Sequence, residues 1–77
     1  MDHRSFKAFL TLADTLHFAH AAERSHMTAS ALSRAIKRLE EEAGVALFLR
    51  DNRSVRLTRA GEEFRQFVAH TLSRWEQ

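Results

Sequence analysis

The stretch FAHAAERSHMTASALSRAIKRLEEEAG, running from Phe18 to Gly44, decides the fold. Its opening residues read as a short helix over about 18–25, with Ala21 and Ala22 inward, where small side chains let another helix approach closely. A break follows at Ser25–Met27, and His26 in the turn is of a type that enters the left-handed region more readily than most. Thr28 then offers a side-chain oxygen to the first free amides of a longer helix predicted over about 29–43. Leu32, Ala35, Ile36, Leu39 and Ala43 fall on one face of that helix, and Gly44 sits where a helix-ending glycine is expected.

Working outward, Phe6, Phe9, Leu10, Leu12, Ala13 and Leu16 form an apolar stripe at helical spacing, which predicts a first helix over about 3–16. Past Gly44 the period changes. Val45, Leu47 and Leu49 alternate, Asp51–Ser54 is a polar turn, and Val55 and Leu57 alternate with Arg56 and Thr58, which predicts a two-stranded hairpin. Thr58 is expected to cap a final helix over about 59–76, with Gly61 weakening its first turn. With 2 glycines and no proline, long helices are the default. The order helix, helix, helix, hairpin, helix gives a mainly α fold: a winged helix-turn-helix of three helices and a small two-stranded wing, followed by a C-terminal helix. The expected division is a winged domain over 1–58, with its helix-turn-helix at about 18–37, and a separate helix over 59–77.

Length and composition narrow the function. At 77 residues with 44% hydrophobic side chains, the chain is one small globular domain. A core of that size rarely supplies more than about 3–5 kcal/mol, so self-association is an expected supplement. The absence of cysteine excludes disulfide scaffolds, cysteine zinc sites and thiol chemistry. The apolar run around Ala46–Leu49 is far too short to span a membrane, and Met1–Ser5 leads into no signal-peptide core. A cytoplasmic protein is expected.

The net charge of +2 proves little alone; its distribution carries the weight. Residues 1–27 balance Arg4, Lys7 and Arg24 against Asp2, Asp14 and Glu23. Residues 28–60 set Arg34, Lys37, Arg38, Arg50, Arg53, Arg56 and Arg59 against Glu40, Glu41, Glu42 and Asp51, an excess of three positive charges. Residues 61–77 are one charge negative. Within the third helix, Ser30, Ser33, Arg34 and Lys37 occupy an acid-free first half, while Glu40, Glu41 and Glu42 crowd the second. The first half must therefore be what approaches phosphates, and the positive end of the helix dipole agrees. Pairs Lys37–Glu41 and Arg38–Glu42 at i,i+4 would offset the acids' unfavourable position. The blander alternative is a solvated surface helix, but it leaves the cationic hairpin unexplained. Arg53 at the hairpin tip has the length and flat head to enter a minor groove, while Arg56 reads equally as a groove contact or a solvated strand residue.

The residues Phe18–Lys37, then RLEEEAGVALFLR ending at Arg50, then LTRAG from Leu57 to Gly61, resemble the DNA-binding domain of LysR-type transcriptional regulators across nearly the whole chain. The shorter patterns HF at His17, RDNR from Arg50, AGEE from Ala60, and Thr71-Leu72 with Trp75 are similar to the subgroup activating acetohydroxy acid isomeroreductase. The resemblance implies sequence-specific binding of double-stranded DNA, at a palindromic operator, by a homodimer. It places Thr28, Ala29, Ser30, Ser33 and Arg34 at bases and adjacent phosphates, and Arg50 and Arg53 at the wing; Lys37 joins this DNA-binding set from the charge pattern of the third helix. It makes the last helix a linker helix that pairs two subunits. It also implies a larger C-terminal effector-binding domain and a small-molecule effector, neither within this chain, which is therefore expected to be an N-terminal piece. Departures stand at Ala29 and Ser30, where glutamine and proline are frequent. Ala29 has no bidentate contact to offer adenine and can meet only a thymine methyl. Ser25 replaces a usual core leucine, and His17 a usual serine cap.

Phe64, Phe67, Val68, Leu72 and Trp75 make an apolar stripe along a helix of about 26 Å, longer than so small a domain can cover. A twofold helix pair would bury it and set two recognition helices roughly 34 Å apart on one face of DNA. A membrane-surface helix would bring Glu62, Glu63 and Glu76 against anionic lipid. His17 and His20 lack a third and fourth metal ligand and read as surface or capping residues. Nothing specifies a nucleophile and base in one cleft, so no catalytic residue, metal or cofactor is assigned. The competing functional class is a protein-interaction module built on the same fold.

Overall fold

A computed structural model of the chain describes residues 1–75, built as α1 (His3–Thr15), α2 (Phe18–Arg24), α3 (Ala29–Ala43), β1 (Phe48–Arg50), β2 (Val55–Leu57) and α4 (Arg59–Trp75). The expected order of elements and the winged helix-turn-helix are present. Glu76, at the expected end of the last helix, lies outside the described residues.

Local chemistry fixes each boundary. Asp2 and Ser5 form a capping box on α1, with the Ser5 amide donating to the Asp2 carboxylate at 2.8 Å. The helix stops at Leu16, left-handed at φ 52°, whose amide returns to the Leu12 carbonyl at 2.7 Å. His17 starts α2 by accepting the His20 amide on Nδ1 at 3.3 Å, the capping role read from the sequence. His26 adopts φ 55° in the turn, and Met27 donates back to the Ala22 carbonyl at 2.9 Å. Thr28 Oγ1 accepts the Ala31 amide at 3.1 Å to open α3, which Gly44 closes at φ 75°.

Phe9, Leu12, Leu32, Ile36, Leu39, Leu47 and Val68 are the large, fully buried side chains, so α1, α3, the wing base and α4 share one core. Two sequence expectations need correction here. Val68 and Leu72 are buried in the chain's own core at 0% and 4% exposure, not held free for a partner. The reason is α1, which lies along α4 and covers much of its stripe. Phe64 is half-buried, with its ring 5.1 Å from that of Phe9.

The second correction concerns the wing. Alternation over Val45, Leu47 and Leu49 predicts that the first strand of the hairpin already runs through these three residues. Instead Leu47 and Phe48 are buried in succession, while Val45 and Leu49 are exposed. The strand begins only at Phe48, so Leu47 belongs to the approach and the pleat runs in the opposite phase. The antiparallel register pairs Phe48 with Leu57, Leu49 with Arg56 and Arg50 with Val55. Thr58 closes the base: its amide donates to the Leu47 carbonyl at 3.0 Å, its hydroxyl to the Ala46 carbonyl at 2.7 Å. Gly61, read from the sequence as a weak point in α4, is a close-approach residue, since a Cβ there would overlap the Leu47 carbonyl oxygen.

Candidate nucleic-acid interface

The turn at His26 and the cap at Thr28 aim the first two turns of α3 outward. Thr28, Ala29, Ser30, Arg34 and Lys37 are exposed and Ser33 is half-buried. At about 100° per residue, Ser30, Arg34 and Lys37 project opposite the buried Leu32, Ile36 and Leu39, with Ala29 and Ser33 on one flank. The Thr28 hydroxyl is engaged by the Ala31 amide, with Ser30 Oγ at 3.5 Å.

Carboxylates near these cations are largely occupied, but not in the way the sequence suggests. Lys37–Glu41 and Arg38–Glu42 form no ion pairs among the described residues. Glu42 instead takes the Met1 amino group at 2.9 Å. Glu40 turns to the wing: Oε2 accepts the Leu47 amide at 2.8 Å and the Phe48 amide at 3.1 Å, and Oε1 accepts from Arg50 at 3.1 Å. The Arg38–Glu42 reading fails because the Met1 amino group is a better-placed donor to Glu42 than a flexible arginine on the same helix, while nothing in the structure explains the missing Lys37–Glu41 pair.

At the wing tip, Asp51 Oδ1 accepts the Arg53 amide at 2.7 Å and the Ser54 amide at 2.8 Å. Those two backbone N–H groups hold the Asp51 carboxyl below the usual carboxylate range. The same bonds set the backbone at Arg53, whose side chain is exposed. Arg34, Lys37, Arg53 and Arg56 pair with no carboxylate among the described residues. Arg56 is exposed across the ladder from Leu49.

Arg50 differs from the other expected contacts. Beside its bond to Glu40, its guanidinium lies 5.0 Å above the Phe18 ring, so it is braced against α2 and α3. The Glu40 anchor is the feature that sequence reasoning missed. Its one signal is a carboxylate at the edge of the apolar face in the last turns of a helix, with an arginine a short strand away.

Of the expected α4 surface, Phe67 and Trp75 remain exposed at 56% and 54%. Trp75 lies over Phe6 with ring centroids 6.1 Å apart and beside His3 at 5.3 Å; Phe67 meets Phe6 edge-on at 6.4 Å. His17 and His20 stack at 4.1 Å. The described residues hold no group of three potential metal ligands, and no helix among them is long and apolar enough to cross a membrane.

Residues 3–62 match the family model described as a bacterial regulatory helix-turn-helix protein, lysR family. The chain is 52% identical over all 77 residues to the HTH-type transcriptional activator IlvY of Salmonella typhimurium, covering 26% of that protein, and equally so to the HTH-type transcriptional regulator IlvY of Escherichia coli. It thus spans about a quarter of the length of the curated relatives it matches. Among solved structures, the DNA-binding domain of CbnR in complex with DNA superposes with a TM-score of 0.94 at 32% identity, over 99% of this chain and 87% of that one. The BenM DNA-binding domain with benA site 1 DNA gives 0.93 at 34% identity, over 100% and 86%.

Proposed function

Because this chain belongs to the LysR family of bacterial regulatory helix-turn-helix proteins, we propose that it binds double-stranded DNA sequence-specifically, as the N-terminal domain of a transcription regulator. The observation carrying the proposal is the set of cations Arg34, Lys37 and Arg53, unpaired among the described residues, with Glu40, Glu42 and Asp51 tied down elsewhere. Long-range attraction to phosphates comes from those cations, and base discrimination from the start of α3 in the major groove. Arg34 has the geometry for guanine, Ser30 and Ser33 for hydrogen bonds, and the Ala29 methyl for thymine. Thr28 and Lys37 hold adjacent phosphates, and Arg53 enters the neighbouring minor groove from the wing. Arg50, exposed but bonded to Glu40, braces the wing.

The winged unit is residues 1–58, and α4, Arg59–Trp75, is the linker helix of the 59–77 unit that pairs two copies. Phe67 and Trp75, with the exposed edge of Phe64, are what that helix offers a second copy. A symmetric pair reads a palindromic operator. The remainder of the relatives' length accommodates an effector-binding domain, and identity with activators named IlvY supports activation, as does the subgroup resemblance to regulators of acetohydroxy acid isomeroreductase. Such a regulator works in the cytoplasm and catalyses nothing.

Selecting bound duplexes from a random pool tests this directly; a recovered inverted repeat is the expected result. The log–log slope of affinity against salt should correspond to roughly 6–10 phosphates per dimer. No enriched sequence and an affinity flat with salt would instead favour a protein-interaction module.

A further inference from the structure

We propose that Glu40 is a positioning residue for recognition: it locks the wing to the flank of α3 that carries Ala29 and Ser33, so that Arg53 and Arg34 meet one duplex in register. The inference rests on the DNA-binding reading above. It adds a function for a carboxylate whose charge would repel the ligand if it faced it.

A hairpin with three residues per strand is marginal on its own and needs external anchors to hold a direction. Two exist. Thr58 ties the base of the wing to the start of α4. Thr58 alone leaves the ribbon free to pivot about the Leu47 carbonyl. Glu40 removes that freedom, because the Leu47 and Phe48 amides, just inside the pivot, both donate to one of its oxygens. Its other oxygen accepts from Arg50, at the far end of β1, which is in turn braced on Phe18 of α2. One carboxylate thereby joins three elements, and at 17% side-chain exposure it is largely shielded from competing water.

Helical geometry says what this joint controls. Glu40 follows Ser33 by about two turns on the same flank of α3. The wing is therefore fastened to the edge of the helix from which Ala29 and Ser33 project. Asp51 shapes the tip from within, through the Arg53 and Ser54 amides, but cannot orient the tip relative to α3. Orientation falls to Glu40, with Arg50 as its strut. Neutralising the carboxylate as Glu40→Gln removes the Arg50 ion pair and weakens both amide bonds while keeping the side chain's size.

The test is a double-mutant cycle on affinity for a duplex recovered by selection against the parent chain. Arg53→Ala should cost the parent roughly tenfold, or about 1.4 kcal/mol. In the Glu40→Gln background the same change should cost less than about twofold, because the tip no longer reaches its groove. Arg50→Met should reproduce the Glu40→Gln loss and add little to it, which a direct phosphate contact would not do. Should Glu40→Gln fail to fold at the assay temperature, the cycle of Arg50→Met with Arg53→Ala decides, since both amide bonds to Glu40 survive there. A full tenfold Arg53 effect in either background overturns this inference alone. Affinity indifferent to Arg53 in the parent overturns it too and leaves DNA binding standing. A parent chain that binds no duplex overturns the DNA-binding reading, and this inference with it.

Discussion

Gly61→Ala should destabilise the domain, although helix propensity alone argues for the opposite sign. Alanine inside a helix is worth about 1 kcal/mol over glycine. Against that gain, the new methyl would overlap the Leu47 carbonyl oxygen and stand 2.9 Å from Leu57 Cδ2 and 3.0 Å from the Leu47 carbonyl carbon. Overpacking of this kind costs about 1–3 kcal/mol. The upper end applies here, because the obstruction is backbone rather than a flexible side-chain tip. That backbone is also pinned, its oxygen accepting the Thr58 amide and the amide of the same residue bonded to Glu40. Relief requires α4 and the wing base to separate, so a net loss of about 2 kcal/mol is expected. For a domain of this size each kcal/mol moves Tm by about 4–8 °C, which gives a fall of roughly 8–16 °C. Thermal melts followed by far-ultraviolet circular dichroism, with urea titrations alongside, would measure it. An unchanged or raised Tm would refute the close-approach argument and return Gly61 to the role of an ordinary weak helix residue.

Arg34→Ala should weaken specific duplex binding by roughly 1–3 kcal/mol while non-specific binding falls less; equal losses on selected and random DNA would make Arg34 a phosphate contact only. Phe67→Asp should leave the fold intact and give monomers in sedimentation, whereas Val68→Asp, one residue on but fully buried, should abolish cooperative unfolding. An intact dimer in the first variant would remove Phe67 from the interface. The Asp51 turn should loosen in acid. Its folded carboxyl titrates below its unfolded value, so its contribution is complete above the unfolded pKa, near 4, and is lost as pH falls through the lower folded pKa. Amide chemical shifts of Arg53 and Ser54 should move only below about pH 4, and movement nearer neutrality would contradict the assignment.

Much of the fold was legible because several boundaries are enforced by single residues with few alternatives. Thr28 and Gly44 bracket α3 by chemistry that any helix end needs, and His26 tolerates the left-handed turn between α2 and α3. Leu16 shows the limit: nothing local marks a leucine for φ 52°, where its amide bonds back to the Leu12 carbonyl and ends α1. The wing's phase was hidden for a related reason. Alternation assumes that a strand begins where the alternation begins, but the 45–47 segment is an approach held by Thr58 and Glu40, which lie outside it on either side. Arg34, Lys37 and Arg53 were visible as candidates because charge segregation is a property of the sequence itself. The different employment of Arg50 was not, since it depends on which carboxylate folding brings within reach.

The α4 stripe carries the same distinction further. Periodicity identifies a face that must be covered and says nothing of what covers it. A helix of about 26 Å outruns its own domain only when set against the domain's width alone; α1, 13 residues long, lies alongside and covers it. Once α1 is in place, Val68 and Leu72 belong to the monomer's core, and Phe6 becomes the platform on which Trp75 rests. The surface left for a second copy is narrower and more aromatic than the stripe, centred on Phe67 and Trp75 and continuous with α1 through Phe6 and His3. A dimer built there joins α1 as well as α4 to its partner. Because α1 also packs on α2 and α3, the distance between two recognition helices is then set by the whole body of each domain, and substitutions at Phe6 should alter operator spacing as well as stability.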